Sequence, residues 1–300
     1  MRIEKLVVVG VGLIGGSCAL ALKRANAVGT VVGIGRTAAN LDDAMRLGIV
    51  DRALPLSDDW TGELQEADVV LVAAPVAQFP ELFAAIAPAV GAQTVVTDAG
   101  STKQDVIAAA RATFGAALPR FVPGHPIAGT EHTGAAASFA TLFDGRNVIL
   151  TPLPETQPAA VDRIAAMWQV AGARVTTLAA DRHDAIFAAV SHLPHVLAFA
   201  LVAELAARPD ADAYFDHAAS GFRDFTRIAA GSPEMWRDIA LANRDALLAE
   251  MDRYCDALRD ARALIAAGDG QALAALFERA SIARRAWEAK RAQPVVADKG

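Results

Sequence analysis

The sequence predicts an α/β protein, with an N-terminal doubly wound Rossmann-type sheet followed by an all-helical dimerisation domain. Three observations carry this. Short Val-rich runs alternate with helical stretches as far as residue 180. A glycine-rich turn, Gly10-Val-Gly-Leu-Ile-Gly15, joins the first run to the first helix. From Asp181 onward strand-like runs vanish and apolar residues recur at helical spacing.

Leu6–Val9 reads as a fully buried parallel strand, because it is a short continuous apolar run. Gly10–Gly16 is the turn, and Ser17–Arg24 continues as a helix. Val31–Ile34 is the second strand, and Leu41–Leu47 is a helix ending near Gly48. Val69–Val72 is the third strand, followed by Ala73-Ala-Pro75, and prolines bracket a helix over Pro80–Pro88. Thr94–Thr97 is the fourth strand, leading through Asp98–Lys103 to a helix over Gln104–Thr113. Phe121–Val122 runs into a loop, Pro123–Gly134; Asn147–Thr151 and Arg174–Thr177 are strands flanking a helix over Val161–Val170. Ile186, Val190, Leu193, Leu197, Leu201 and Leu205 then mark helix, and Pro233–Ala267 and Leu273–Lys290 read as long helices. The expected division is 1–180 for the dinucleotide-binding domain, 181–290 for the helical dimerisation and substrate domain, and 291–300 for a loose tail. Apolar stripes in the helical half exceed what one small bundle buries, which predicts a homodimer.

Composition narrows the function. The chain has 300 residues, 54% hydrophobic and 6% aromatic, with net charge −6 and no basic stripe, so a nucleic-acid partner is not expected. Arg2 and Lys5 before the uncharged run Leu6–Leu22 imitate a leader peptide, but the glycines there are ordered as a phosphate-binding turn. No other segment reads as a membrane span. Cys18 and Cys255 are too few and too distant for a disulfide framework. Both read as small buried hydrophobes in a reducing cytoplasm.

The glycine turn has a strand before it and a helix after it, the context that a dinucleotide fingerprint needs. Gly10 permits the tight turn, Gly12 lets the pyrophosphate approach, and Gly15 lets helix and strand pack closely. Val11, Leu13 and Ile14 complete the cradle at a helix N-terminus, where free N–H groups favour anions. The acid that usually holds the ribose of NAD is missing: Gly35 stands about where it belongs, followed by Arg36 and Thr37. Arg36 can pair with a 2′-phosphate, so NADP is favoured over NAD. Ala74 and Pro75, past the third strand, complete the expected cofactor contacts.

Pro123-Gly-His-Pro-Ile-Ala-Gly-Thr-Glu131 fixes the backbone around one histidine at the carboxyl edge of the sheet, where such folds bind ligands. His125 alone is equally readable as a structural loop residue. His192 and His195 lie three apart on one helical face, a pattern that is by itself more often structural.

Taken together these segments resemble the prephenate and arogenate dehydrogenases. The matching stretches are Gly10–Gly16, Asp98–Lys103, Gly124–Glu131, Ser191-His-Leu-Pro-His195, Gly221-Phe-Arg-Asp-Phe-Thr-Arg-Ile228 and Met235-Trp-Arg-Asp238. They stand in the family's order from about residue 6 to 255, leaving no stretch for a fused mutase or regulatory domain. The resemblance implies oxidative decarboxylation of a cyclohexadiene in tyrosine biosynthesis, with hydride passing to the nicotinamide. His125 matches the catalytic histidine, and a neutral imidazole near pH 7 suits it to take the ring hydroxyl's proton. Ser101 matches the serine that orients hydroxyl and nicotinamide, so it serves both catalysis and cofactor. Arg227 matches the arginine that binds substrate carboxylate, a task suited to a planar guanidinium; without the resemblance a surface salt bridge is the plainer reading.

The resemblance also places His195 and His192 at the domain junction near nicotinamide and substrate, counts Thr130 among the substrate contacts, and puts Glu131, Asp224 and Trp236 around the substrate entrance, partly from the other subunit. His183 and Asp184 are read as positioning groups, and Trp236 is equally readable as core packing. Arg223 has Asp224 and Asp238 as candidate partners. His132 is assigned to neither site nor solvent. Aromatisation drives the reaction, so no metal is expected. Two alternatives stay open: another two-domain NADP-dependent reductase, and a non-catalytic NADP sensor. The first typically needs a lysine in its second domain, and none lies between Asp181 and Asp256. Prephenate against arogenate is open too, because no residue can be assigned to read the ammonium.

Overall fold

A computed structural model describes residues 2–130 and 132–292. The first half alternates strand and helix: β1 (Ile3–Val9), α1 (Leu13–Arg24), β2 (Val28–Gly35), α2 (Ala38–Arg46), β3 (Arg52–Pro55), β4 (Val69–Val72), α3 (Phe79–Ile86), β5 (Val95–Asp98), α4 (Gln104–Thr113) and β6 (Phe121–Val122). All six strands are parallel, in the order β3-β2-β1-β4-β5-β6. Order reverses between β1 and β4, so the glycine turn after β1 sits at the switch point where such sheets take ligands. One face packs Leu6, Leu22, Val69, Ile164 and Trp168; the other packs Phe79, Phe83, Phe114 and Phe121, whose rings touch.

A second, three-stranded sheet follows: β7 (Gly124–Pro126), β8 (Asn147–Leu150) and, after α5 (Pro158–Val170), β9 (Arg174–Thr177), with β7 antiparallel to β8. This corrects two expectations. The strands do not form one sheet, and His125 lies on a strand, paired with Ile149, rather than in a free loop. β3 was also invisible in the sequence, because Arg52-Ala-Leu-Pro55 is a partly exposed edge strand without an apolar run.

The remaining helices are α6 (Ala180–Phe187), α7 (Leu193–Ala206), α8 (Ala211–Asp216), α9 (Ser220–Thr226), α10 (Pro233–Ala242), α11 (Arg244–Ala267) and α12 (Gly270–Ala292). A π-helical turn, Ala188–His192, joins α6 to α7. The continuous run 180–206 is long and apolar enough to cross a membrane by length and composition, which corrects the expectation that no later segment approaches a span. Four of its polar side chains, His183, Asp184, His192 and His195, are engaged in hydrogen bonds within the fold. The helix expected over Pro233–Ala267 is broken at Asn243, whose backbone leaves helical geometry (φ −105°, ψ 32°). Cys18 is buried, but Cys255 is exposed rather than part of a core. Backbone contacts divide the chain into compact units 1–247 and 248–300, and the candidate site lies wholly in the first.

Candidate functional site

The dinucleotide cradle is built by close approach. Gly10 has φ +100°, and a Cβ there would lie 2.5 Å from the Ala73 carbonyl oxygen. A Cβ on Gly15 would meet the Gly10 oxygen at 2.4 Å, which is why α1 can start so near β1. At Gly12, by contrast, nothing lies within 4 Å of an added Cβ. That open side, at the N-cap of a helix with no side-chain cap, fits a pyrophosphate on the first free N–H groups. Three polar residues brace this loop and were missed in the sequence. Asn40 donates to the Val11 oxygen (2.7 Å) and accepts from the Ala135 N–H (2.7 Å). The Ser138 hydroxyl donates to the Gly12 oxygen (3.1 Å), and Ser17 accepts from the Phe139 N–H (3.0 Å). Arg36 and Thr37 are exposed just past β2, and Ala74 and Pro75 are half-buried past β4.

At the same edge a buried ion pair fastens two loops. Asp98, at the end of β5, pairs with Lys103, and both side chains are fully buried. Asp98 also accepts from the N–H groups of Gly100 (2.7 Å) and Gly124 (3.1 Å), while Lys103 donates to the Gly124 oxygen (2.8 Å). The half-buried Ser101 and the strand carrying His125 are thereby held to one frame.

His125 is the first member of a chain of hydrogen bonds. Its Nδ1 lies 2.8 Å from Nε2 of His183, and Nδ1 of His183 lies 2.8 Å from Oδ1 of Asp184. Asp184 accepts further from the N–H groups of Lys103 and Gln104, both at 2.9 Å, at the start of α4. Burial pushes the Asp184 carboxyl up, but the bonds from His183, Gln104 and Lys103 outweigh it and hold it below the usual carboxylate range. A carboxylate only accepts, so His183 carries its proton on Nδ1 and presents Nε2 as an acceptor. His125 must then donate through Nδ1, which leaves its own Nε2 lone pair for another proton. Burial, then the neighbouring His183 and Lys103, hold His125 well below the ordinary histidine range. The neutral form expected from the sequence persists, and its titration lies below neutrality. Phe187, missed in the sequence, packs its ring against both His125 and His183 at 4.8 and 4.5 Å.

His192 and His195 line one cavity of about 420 Å³ with Phe199, Pro233 and Trp236. The Trp236 ring stacks on His195 at 3.4 Å, so it is half-buried against a site residue rather than in the core. His195 donates through Nδ1 to the Ser191 oxygen (2.8 Å), leaving Nε2 as an acceptor. Burial, helped by the nearby Arg227 charge, lowers its proton affinity. Arg227 is exposed and opens the short 3-10 turn after α9. Arg223 meets Asp224 at 3.4 Å, whereas Asp238 takes Arg237. Thr130 and His132 are exposed, with the His132 N–H on the Thr130 hydroxyl (3.2 Å), and Glu131 lies outside the described residues. Among the described residues no cluster could hold a metal ion.

Comparison with known proteins gives a consistent picture. Residues 18–177 match the prephenate dehydrogenase nucleotide-binding domain, and 179–279 match the prephenate dehydrogenase dimerization domain. A cyclohexadienyl dehydrogenase of Zymomonas mobilis is 37% identical over 287 residues, covering 94% of this chain and 96% of that protein. The crystal structure of prephenate dehydrogenase from Aquifex aeolicus, in complex with hydroxyphenyl propionate and NAD+, has a TM-score of 0.87 at 32% identity and covers 95% of this chain and 98% of that one. Synechocystis arogenate dehydrogenase follows at TM-score 0.78 and 27% identity, covering 95% and 100%.

Proposed function

The chain belongs to the prephenate dehydrogenase family, and from that premise we propose that it oxidatively decarboxylates prephenate, arogenate or both. The products are 4-hydroxyphenylpyruvate or tyrosine. It is an oxidoreductase that works with a pyridine nucleotide. The Gly10–Gly15 cradle would hold the dinucleotide by its pyrophosphate, and the nicotinamide would supply the hydride acceptor. NADP is the proposed preference, because Gly35 stands where the ribose-binding acid belongs and the exposed Arg36 beside it can pair with a 2′-phosphate.

The observation that carries the mechanism is the His125–His183–Asp184 chain. The substrate's ring hydroxyl loses its proton as hydride leaves the same carbon. His125 Nε2 accepts that proton, with its Nδ1–H held on His183, whose ring the Asp184 carboxylate in turn orients. Ser101 orients the hydroxyl from the frame that Asp98 and Lys103 fix. Arg227 binds a substrate carboxylate, and His192, His195, Thr130, Glu131 and Trp236 complete the substrate enclosure. Lys103, the lysine beside the histidines, is committed to Asp98, which speaks against lysine-based reductase chemistry.

The functional division remains 1–180 and 181–290, in a cytoplasmic homodimer formed through the helices. Exposed apolar side chains there, including Leu201, Phe225, Leu241, Ile265 and Phe277, support a covering partner subunit. The test of the mechanism is His125→Asn. It should lower kcat by about 10²–10⁴ while leaving NADP affinity nearly intact. A folded variant with near-parental kcat overturns the assignment and points to His195 as the base.

A further inference from the structure

The residue that breaks the long C-terminal helix has a use for being there. Asn243 is buried, 4% exposed, where an apolar side chain would be the ordinary choice. A buried amide is costly unless its hydrogen bonds are made. Its Nδ2 lies 2.8 Å from the Asp184 backbone oxygen and 3.1 Å from Nδ1 of His192. The Asp184 oxygen can only accept, so it fixes which end of the amide is NH₂. The second N–H of that group therefore points at His192 Nδ1, which must be the unprotonated nitrogen.

We propose that Asn243 is a positioning residue that locks His192 in the Nε2–H tautomer, making it a neutral hydrogen-bond donor to a substrate carboxylate oxygen. The contrast with its neighbours supports this. His183 and His195 each direct Nδ1 at an oxygen that can only accept and so carry their proton there, whereas His192 directs Nδ1 at a donor. His192 borders the cavity shared with His195 and Trp236, and its bond to Asn243 uses Nδ1, which leaves Nε2 for a ligand. Burial, outweighing the nearby Asp184 charge, pushes its proton affinity down to about 4, so it donates without becoming charged. The same amide ties α6 to the α10–α11 junction, so Asp184, which ends the hydrogen-bond chain from His125, and His192 are both held by one side chain. The role of the bond to substrate rests on the proposed function; the tautomer does not.

The experiment keeps the two apart. In enzyme labelled with ¹⁵N-histidine, long-range ¹H–¹⁵N correlations report each ring's tautomer without any turnover. The His192 ring, identified by its loss in His192→Gln, is expected as Nε2–H; finding Nδ1–H overturns the proposal. In Asn243→Asp the carboxylate requires an Nδ1–H, so the tautomer should reverse. KM for prephenate or arogenate should rise about 10- to 100-fold, the worth of a hydrogen bond to a charged group. kcat should fall much less than in His125→Asn. An unchanged KM with reversed tautomer refutes the donor role. Should Asn243→Asp fail to fold, the His192 pair decides. Gln places an amide N–H near the Nε2 position and Asn does not, so His192→Gln should weaken substrate binding less than His192→Asn. Equal losses refute the role. A parent enzyme that turns over neither substrate refutes the proposed function and leaves the tautomer result standing.

Discussion

Lys103→Met tests how far the site depends on one buried charge. Lys103 and Asp98 are both fully removed from water, and the substitution leaves the Asp98 carboxylate with its N–H bonds from Gly100 and Gly124 but no counter-charge. The Gly124 oxygen loses a donor as well. Removing one partner of a buried pair costs about 3–5 kcal/mol, because the remaining ion stays desolvated. Urea unfolding should show that loss. Combining it with Asp98→Asn should recover about half or more, because the stranded charge is gone. The same change should reach the chemistry. The Lys103 charge is one of the influences that disfavour protonation of His125 and His183. Without it both histidines titrate closer to their ordinary range, so the acid limb of the kcat profile should move to higher pH. A single variant that loses less than about 1 kcal/mol, a double variant less stable than the single, or an unmoved acid limb would refute this reasoning.

Three further outcomes are expected. Arg227→Ala should raise KM strongly with a smaller loss in kcat, as when binding common to ground and transition states is removed; steady-state kinetics checks it, and a pure kcat effect would contradict it. Arg36→Gln should lower kcat/KM for NADP more than for NAD. It is the cleaner test than adding an acid at Gly35, where a Cβ would come within 2.8 Å of the Leu41 side chain. A parent enzyme with higher kcat/KM for NAD would refute the reading of that turn. Stability should fall as pH drops from about 6.5 toward 4, because the unfolded chain takes up a proton at His192 that the folded protein refuses until about 4. The shift amounts to on the order of 3 kcal/mol, and His192→Gln should lessen the fall of the thermal midpoint across that window without abolishing it, because His125, His183 and His195 are lowered as well.

The sequence by itself determined the parts that depend on local pattern. Val-rich runs buried on both faces announce parallel strands, and Gly10, Gly12 and Gly15 announce a backbone that must come close to something. The linear segments around His125, His195 and Arg227 were also legible, because each is a short contiguous stretch. Tertiary structure decided what depends on neighbours distant in the chain. β3 and β7 have too little apolar pattern to read as strands, and exist because β2 and β8 offer them a ladder. The break at Asn243 is invisible to a helical period that continues through it, and the partner that its side chain meets there, His192, lies 51 residues away. The protonation pattern follows the same rule. A histidine's tautomer is set by whether its neighbour accepts or donates, and the carboxylate that orients His183 and, through it, His125 stands 59 residues beyond His125 in sequence but two hydrogen bonds away in space.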